Sequence, residues 1–450
     1  MREIIPDQLP LVPVPVKHPI GSELGAVSQV LDAHPEACEW VHADLVRGLR
    51  RPELGREGLS GEQVLRTSMW QRYFDLTYEE LSFDLADSAS AQTFCRIALG
   101  EETSASALQR GHAKVRPETW EAINRLLVQT AHEEGIEPGR RARIDSTAVE
   151  TNIHHPTDSS LLVDCIRVVA RLLGRAQDFV RVPFTDHTER ARRRGLGISN
   201  ARGVEKKLPL YRDLLKVTER TVRAGMRAAE ALDGLKPRSA AEAQEVAELA
   251  SELRTYLGRT KQVVDQTRRR VLEGETVPAT QKIVSIFEPH SDIIRKDNRN
   301  TVYGHKVFLS VGEELITDCL LPSGNPADAT LATEMVRRQE EVFGSLPRDV
   351  ALDGGFASSN NLAAIKGLDV KNVAFAKRRG LEVADMVDSP RRYRSLRNFR
   401  AGIEKFIGFL KHTLGLARCI WRGLQGFKRY AWSAIVAANV IAIARHRLAT

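Results

Sequence analysis

The sequence predicts an α/β protein: a mixed sheet with helices, an all-α region ahead of it, and a long helical hairpin inserted after the first strand. Three observations carry that prediction. Residues before about 135 show only helical patterning and helix-start signals. Short segments rich in Val, Ile, Leu and Phe, bounded by turn residues, begin at Arg140 and resume near Ile283. Between them, over roughly 160–273, apolar residues recur every three or four positions among charges.

Taken in order, residues 1–20 are Pro-rich and expected to be extended. Ser60-x-x-Gln63 and Thr77-x-x-Glu80 read as capping boxes opening helices near 61–73 and 77–87, joined by Phe74-Asp75-Leu76. A third helix follows Ser104, and a fourth starts at Pro117, a first-turn proline. Short helices with tight turns resemble a helix-turn-helix bundle, which is one way of contacting DNA. Glu137-Pro138-Gly139 marks a change of texture, and Arg140–Thr151 reads as a strand with a polar face. Residues 205–233 and Val246, Leu249, Leu253, Tyr256 and Val263 give the two arms of the hairpin. Between strand and hairpin, the basic run Glu189–Gly195 reads first as a solvated face. IVSIF from Ile283, HKVFLSVG, LITDCLL, DVALDGGF (Asp349–Phe356) and VKNVAFAK (Val370–Lys377) read as strands. Helices are expected at Asp328–Phe343, at Asn360–Gly367 and from about Asn398. Neighbouring strands allow antiparallel pairing early, and helix-linked strands imply parallel pairing later.

The 450 residues suffice for several domains and a large core, and 42% hydrophobic with 28% charged residues argues against long disorder. The net charge is +8, so the placement of charge matters more than its total. Five dispersed cysteines without a CxxC fit a reducing compartment and exclude a disulfide framework or a cysteine zinc site. The opening segment lacks an apolar signal core. Ala431–Ala444 is the most apolar stretch but too short for a membrane span, so it reads as a buried helix. These features point to a cytosolic protein that handles an anionic partner.

Three acidic residues carry the candidate chemistry. Asp145 lies within a strand, where Asp is disfavoured and a buried carboxylate needs a partner. Asp353 ends a strand just before Gly354-Gly355, the position where α/β sheets place chemistry, although it could simply cap the turn. Glu404 is the one acid among eleven Lys and Arg between Arg391 and Arg429, a larger excess than the whole chain carries. It could pair with Arg400 one helical turn away. On one continuous helix, Arg397, Arg400, Glu404 and Lys411 fall on a narrow stripe beside the apolar face of Ile403, Ile407, Leu410 and Leu414. Three carboxylates without a His or Cys cluster favour Mg2+ or Mn2+, and a pair of such ions can activate a hydroxyl and stabilise a leaving oxygen. No phosphate-loop or GxGxxG motif is present. His154 and His155 follow the first strand and read as structural rather than catalytic.

At these residues the sequence resembles a known family. RIDSTAVETNIHHPTDSSLL (Arg143–Leu162) resembles the first-Asp block of DDE insertion-sequence transposases, especially the ISNCY group, and VALDGGFAS resembles the second-Asp block. Arg400-x3-Glu404-x6-Lys411 matches the later part of the Y-x2-R-x3-E-x6-K signature of related transposases, with Arg397 in the Tyr position. LSGEQVLRTSMWQRYFDLTYEELSFDLADS resembles the helical N-terminal domain of such enzymes.

The resemblance implies a ribonuclease H-like catalytic core in 136–160 and 276–450. It also implies a helical N-terminal domain in 1–135 that binds DNA ends, and a helical insertion in 161–275. It implies Asp145, Asp353 and Glu404 as catalytic, metal-binding residues holding Mg2+ or Mn2+, with two ions expected. Arg400 and Lys411 would contact DNA, as would Arg397 on the same stripe. The implied reaction is metal-dependent cleavage at the ends of an insertion sequence, followed by attack of the freed 3′-hydroxyl on target DNA. The implied partners are double-stranded DNA and further copies of the chain in a dimer or higher synaptic assembly, in the bacterial cytosol and away from membranes. A catalytically silent DNA-binding relative, and a structure-selective nuclease on the same fold, are the alternatives.

Overall fold

The structure is a computed structural model and describes residues 18–51, 58–98, 100–295 and 300–450. The expected extended segment at 1–20 lies largely outside the described residues. The chain divides into two compact units, one formed by 1–150 with 305–450 and one by 151–304.

The first unit opens with seven helices: α1 (Pro19–Asp32), α2 (Pro35–Val46), α3 (Gly61–Phe74), α4 (Tyr78–Asp87), α5 (Ala89–Cys95), α6 (Ala105–Lys114) and α7 (Pro117–Glu133). Both capping boxes form. Gln63 N–H donates to Ser60 Oγ at 3.1 Å and Glu80 N–H to Thr77 Oγ1 at 3.2 Å, with the reciprocal bonds to Gln63 and Glu80 at 2.9 and 2.8 Å. Asp75 ends α3 in the left-handed region, φ 51°, which turns the chain sharply into α4.

Strand β1 (Arg141–Thr151) follows, and the chain leaves this unit after it. In the second unit α8 (Asp158–Ala176), α9 (Thr188–Asn200), α10 (Val204–Asp233) and α11 (Ala240–Thr267) enclose their own apolar core. The expected hairpin is α10 and α11. Arg190 and Arg194 of the basic run pair with Asp213 of α10, so half of that run is structural. Strand β2 (Asp292–Arg295) pairs antiparallel with the first residues of β3 (Thr301–Val311).

Back in the first unit come β4 (Ile316–Leu320), α12 (Ala332–Phe343), β5 (Asp349–Leu352), α13 (Ser359–Lys366), β6 (Asn372–Phe375) and α14 (Val383–Met386). The chain ends with α15 (Pro390–Ala401), α16 (Ile403–His412), β7 (Arg418–Cys419) and α17 (Gly423–Ala449). The sheet order is β2-β3-β1-β5-β6, with β4 on β3 and β7 on β1. β4 runs antiparallel to β3, whereas β1, β5 and β6 are parallel, so the sheet is mixed as expected. Parallel pairing sets the carboxyl end of β5 beside the middle of β1, with Ile144 opposite Leu352.

Two expectations are corrected. IVSIF is not a strand: Gln266 brackets Ile283 with bonds of 2.9 and 3.0 Å to its N–H and carbonyl, and Ile283 and Ile286 pack into the helical core. A side-chain amide there does the work of a strand neighbour. The helix expected from Asn398 starts earlier, at Pro390 behind the Ser389 cap, and is interrupted at Gly402. The apolar 431–444 stretch is the buried part of α17, and its two polar residues are satisfied inside. Asn439 accepts from Ile316 N–H at 2.9 Å and donates to the Ile316 carbonyl at 2.8 Å and to Asn124 at 2.7 Å. Among the described residues no helix is long and apolar enough to cross a membrane.

Candidate active site

Asp145 sits in the middle of β1 and is 6% exposed. Its Oδ1 accepts from Ser146 N–H at 2.7 Å. Asp353 follows β5, which lies beside β1, and its own N–H donates to the Ile144 carbonyl at 3.2 Å. Asp353 also caps the following turn, its Oδ2 accepting from Gly355 N–H at 3.3 Å. The turn-capping role and the juxtaposition with Asp145 therefore coexist. Residues 208 positions apart become neighbours because β5 ends beside the middle of β1, the strand it pairs with in parallel.

Arg400, on the last turn of α15, completes the cluster. Its Nη2 forms an ion pair with Asp145 Oδ2, lies 2.8 Å from Asp353 Oδ1 and 3.9 Å from Glu404 Oε1. The expected helical-turn pair with Glu404 exists but is the longest of the three. Arg400 is 18% exposed, whereas the Glu404 side chain is 65% exposed. Burial pushes the Asp145 carboxyl up to about 6, with Arg400 opposing and Asp353 and Glu404 adding to the rise. Among the described residues no three His, Cys, Asp or Glu side chains are arranged to chelate an ion, so the carboxylates gather about a guanidinium. The donor set is oxygen only, which suits a hard divalent cation.

The interruption at Gly402 has an identifiable cause. Arg143, two residues before Asp145, donates from Nη1 to the Phe399 carbonyl at 3.1 Å and from Nη2 to the Glu313 carbonyl at 3.1 Å. Its guanidinium lies over the rings of Phe399 and Phe406 at 4.5 and 4.8 Å. A Cβ at position 402 would run into Arg143 Nη1, so the glycine makes room for it. The single stripe expected for Arg397, Arg400, Glu404 and Lys411 is therefore divided between two helices. Arg400 turns inward to the aspartates. Lys411 donates to the Ala148 carbonyl on β1 at 2.8 Å. Arg397 stays exposed, near the ring of Tyr393 at 5.9 Å, and Tyr393 itself donates to the Phe375 carbonyl at 2.8 Å.

Sequence reasoning missed a second group here. Asp328 accepts from Ser146 Oγ at 3.1 Å and from Lys306 Nζ at 2.9 Å. A Cβ on Gly355 would lie 2.6 Å from Asp328 Oδ2, so this acid touches both the Asp145 strand and the Asp353 turn. The available signal was Lys306, a lone cation inside the apolar run HKVFLSV of β3. Arg143 gave a similar one, an arginine two positions from a strand aspartate. His154 and His155 belong to the second unit. His154 Nε2 lies 3.6 Å from Asp164 and 3.3 Å from Ser160 Oγ, and His155 packs against Tyr303 with ring centroids 5.6 Å apart.

Neither a curated protein nor a solved structure gives a match to the chain. A family model does match, over residues 262–440, a stretch that holds Asp353, Arg400, Glu404 and Lys411, while Asp145 lies before it. The matched family implies a ribonuclease H-like fold, with which the mixed sheet and its helices are consistent. The model is that of the transposase DDE domain, so residues 262–440 are similar to that family, which is consistent with a DDE insertion-sequence transposase.

Proposed function

We propose that the protein is a DNA transposase that cuts the ends of an insertion sequence and joins them to target DNA, with Asp145, Asp353 and Glu404 as its catalytic carboxylates. One observation carries this reading: Asp145 from the middle of β1, Asp353 just after β5 and Glu404 from α16 meet on a single arginine. The matched DDE domain supports it independently.

In this reading Asp145, Asp353 and Glu404 would hold Mg2+ or Mn2+, two ions being the expected number. Bound there, the metal would supply Lewis-acid stabilisation of the attacking and leaving oxygens. Asp145, buried on a rigid strand, sets the position of the site, and Asp353, capped on its turn, adds a second fixed carboxylate. Glu404, exposed on α16, supplies a third from the solvent side. Arg397 would offer an exposed cation to the DNA backbone, and Arg400 and Lys411, on either side of Glu404 in the motif, would contact DNA as well. The helices of 1–135 would bind the DNA ends, 161–275 would be an insertion, and cleavage of two ends together would require a dimer or larger assembly. The five cysteines are buried and form no disulfide among the described residues, which suits a reducing cytosol.

The test uses the DNA flanking the gene as substrate, with purified protein and Mg2+ or Mn2+. Cleavage at the element boundary and joined products, both absent in Glu404→Gln, are expected. Cleavage without joining would replace this reading with a nuclease, and DNA binding without cleavage would replace it with a silent relative.

A further inference from the structure

Arg400 makes contacts of an unusual kind for a DNA-binding side chain. A single terminal nitrogen, Nη2, lies within ion-pair reach of one oxygen from each of Asp145, Asp353 and Glu404. One guanidinium nitrogen is thus the cationic centre shared by three carboxylates, one from the middle of β1, one just after β5 and one from α16. The rest of the guanidinium is poorly served: the Arg400 Nε atom is buried and has no hydrogen-bond partner among the described residues. Satisfying the carboxylates, rather than the arginine, is what the geometry achieves.

We infer that Arg400 is a positioning residue that holds the three carboxylates together and competes with the divalent cation for them. This rests on the reading of Asp145, Asp353 and Glu404 as metal ligands. Three carboxylates facing one another repel, and two of them are anchored to paired strands, Asp145 within β1 and Asp353 just after β5. A guanidinium among them neutralises part of that charge and keeps the oxygens pointed inward. The same guanidinium occupies the space and the field that a divalent cation needs, so the cation enters only as Arg400 withdraws. A half-buried side chain whose Nε has no partner among the described residues, on the final turn of a helix that ends at Ala401, is placed to make that exchange. Gly402 follows at once, and α16 starts beyond it, so Arg400 and Glu404 stand on separate helices.

The experiment is a Mn2+ titration of the full-length protein without DNA, with free Mn2+ followed by its electron paramagnetic resonance signal. Wild type, Arg400→Gln, Arg400→Lys, Asp145→Asn and the double variant Asp145→Asn/Arg400→Gln are compared, each checked for a cooperative melt. One neighbouring charge commonly shifts a carboxylate's proton affinity by about 1–3 pKa units, so Arg400→Gln is expected to bind Mn2+ at least about tenfold more tightly than wild type. Arg400→Lys, which keeps one cationic nitrogen, should fall between the two, and the gain should vanish in the double variant. A purely structural ion pair would lower stability without raising affinity. Equal or weaker binding by Arg400→Gln, with Asp145→Asn still reducing it, would overturn the competition and leave the metal site standing. Binding indifferent to Asp145→Asn would overturn the metal-ligand reading beneath it. If Arg400→Gln fails to melt cooperatively, Arg400→Lys carries the test, and affinity equal to wild type overturns the proposal.

Discussion

Arg397 and Lys411 share a motif and a charge, yet the structure separates what they do. The ammonium of Lys411 is drawn to the Ala148 carbonyl, on the strand of Asp145. Lys411→Ala is therefore expected to lower stability, by about 1.5–3 kcal/mol for a hydrogen bond from a charged group, in urea denaturation. Arg397 is exposed, so Arg397→Ala should leave stability unchanged while lowering the salt dependence of DNA binding by about one unit of slope. An unchanged slope would remove Arg397 from the DNA contact. His112 gives a pH prediction. Burial, with Arg72 adding to it, pushes the ring down to about 3, and Thr67 Oγ1 lies 3.0 Å from Nε2. The unfolded ring titrates near 6.5, so the unfolded chain takes up the extra proton first. The contribution to stability is fully present above about pH 6.5 and is lost as the pH falls toward 3. His112→Gln should flatten that part of the melting-temperature profile, and an unaltered profile would show that another group controls it.

At the scale of elements, two junctions position the site. The break between α15 and α16 depends on the Arg143 guanidinium filling the space beside Gly402. Gly402→Val should push the guanidinium out and disturb Arg400 and Glu404 together, reducing cleavage more than DNA binding. Equal losses in both would argue for general unfolding instead. The other junction ties α17 to the start of β4 through Asn439, which exchanges two bonds with Ile316. Asn439→Leu strands the Ile316 N–H in the core, at a cost of about 1–3 kcal/mol in chemical denaturation. Legibility follows the reach of the interactions. Capping boxes are bonds across three residues, and both were readable. The hairpin arms were readable from their spacing. The helix break was not, because its cause lies on a strand some 260 residues earlier.

For the whole molecule, each unit encloses its own apolar core. All five tryptophans, at 40, 70, 120, 421 and 432, belong to the first unit, whereas the long helices α10 and α11 belong to the second. Unfolding followed by tryptophan fluorescence and by far-ultraviolet circular dichroism is therefore expected to give non-coincident transitions. A single shared transition would mean that the two cores unfold as one.

The sequence by itself determined the class of elements, the three carboxylates and their order, and the excess of cations around Glu404. These are local facts: periodicity, caps, and residue types that a strand or a core tolerates only for a reason. Only the tertiary structure decided which cation meets which acid. Sequence spacing paired Arg400 with Glu404 four residues away, but the parallel pairing of β1 and β5 brings Asp145 and Asp353 side by side, where the arginine meets both. It likewise turned Lys411 to a strand carbonyl and placed Asp328 and Lys306 beside the strand of Asp145. Charges find partners through space, at distances of a few ångströms, and chain separation carries no information about that distance once strands from different parts of the sequence lie side by side.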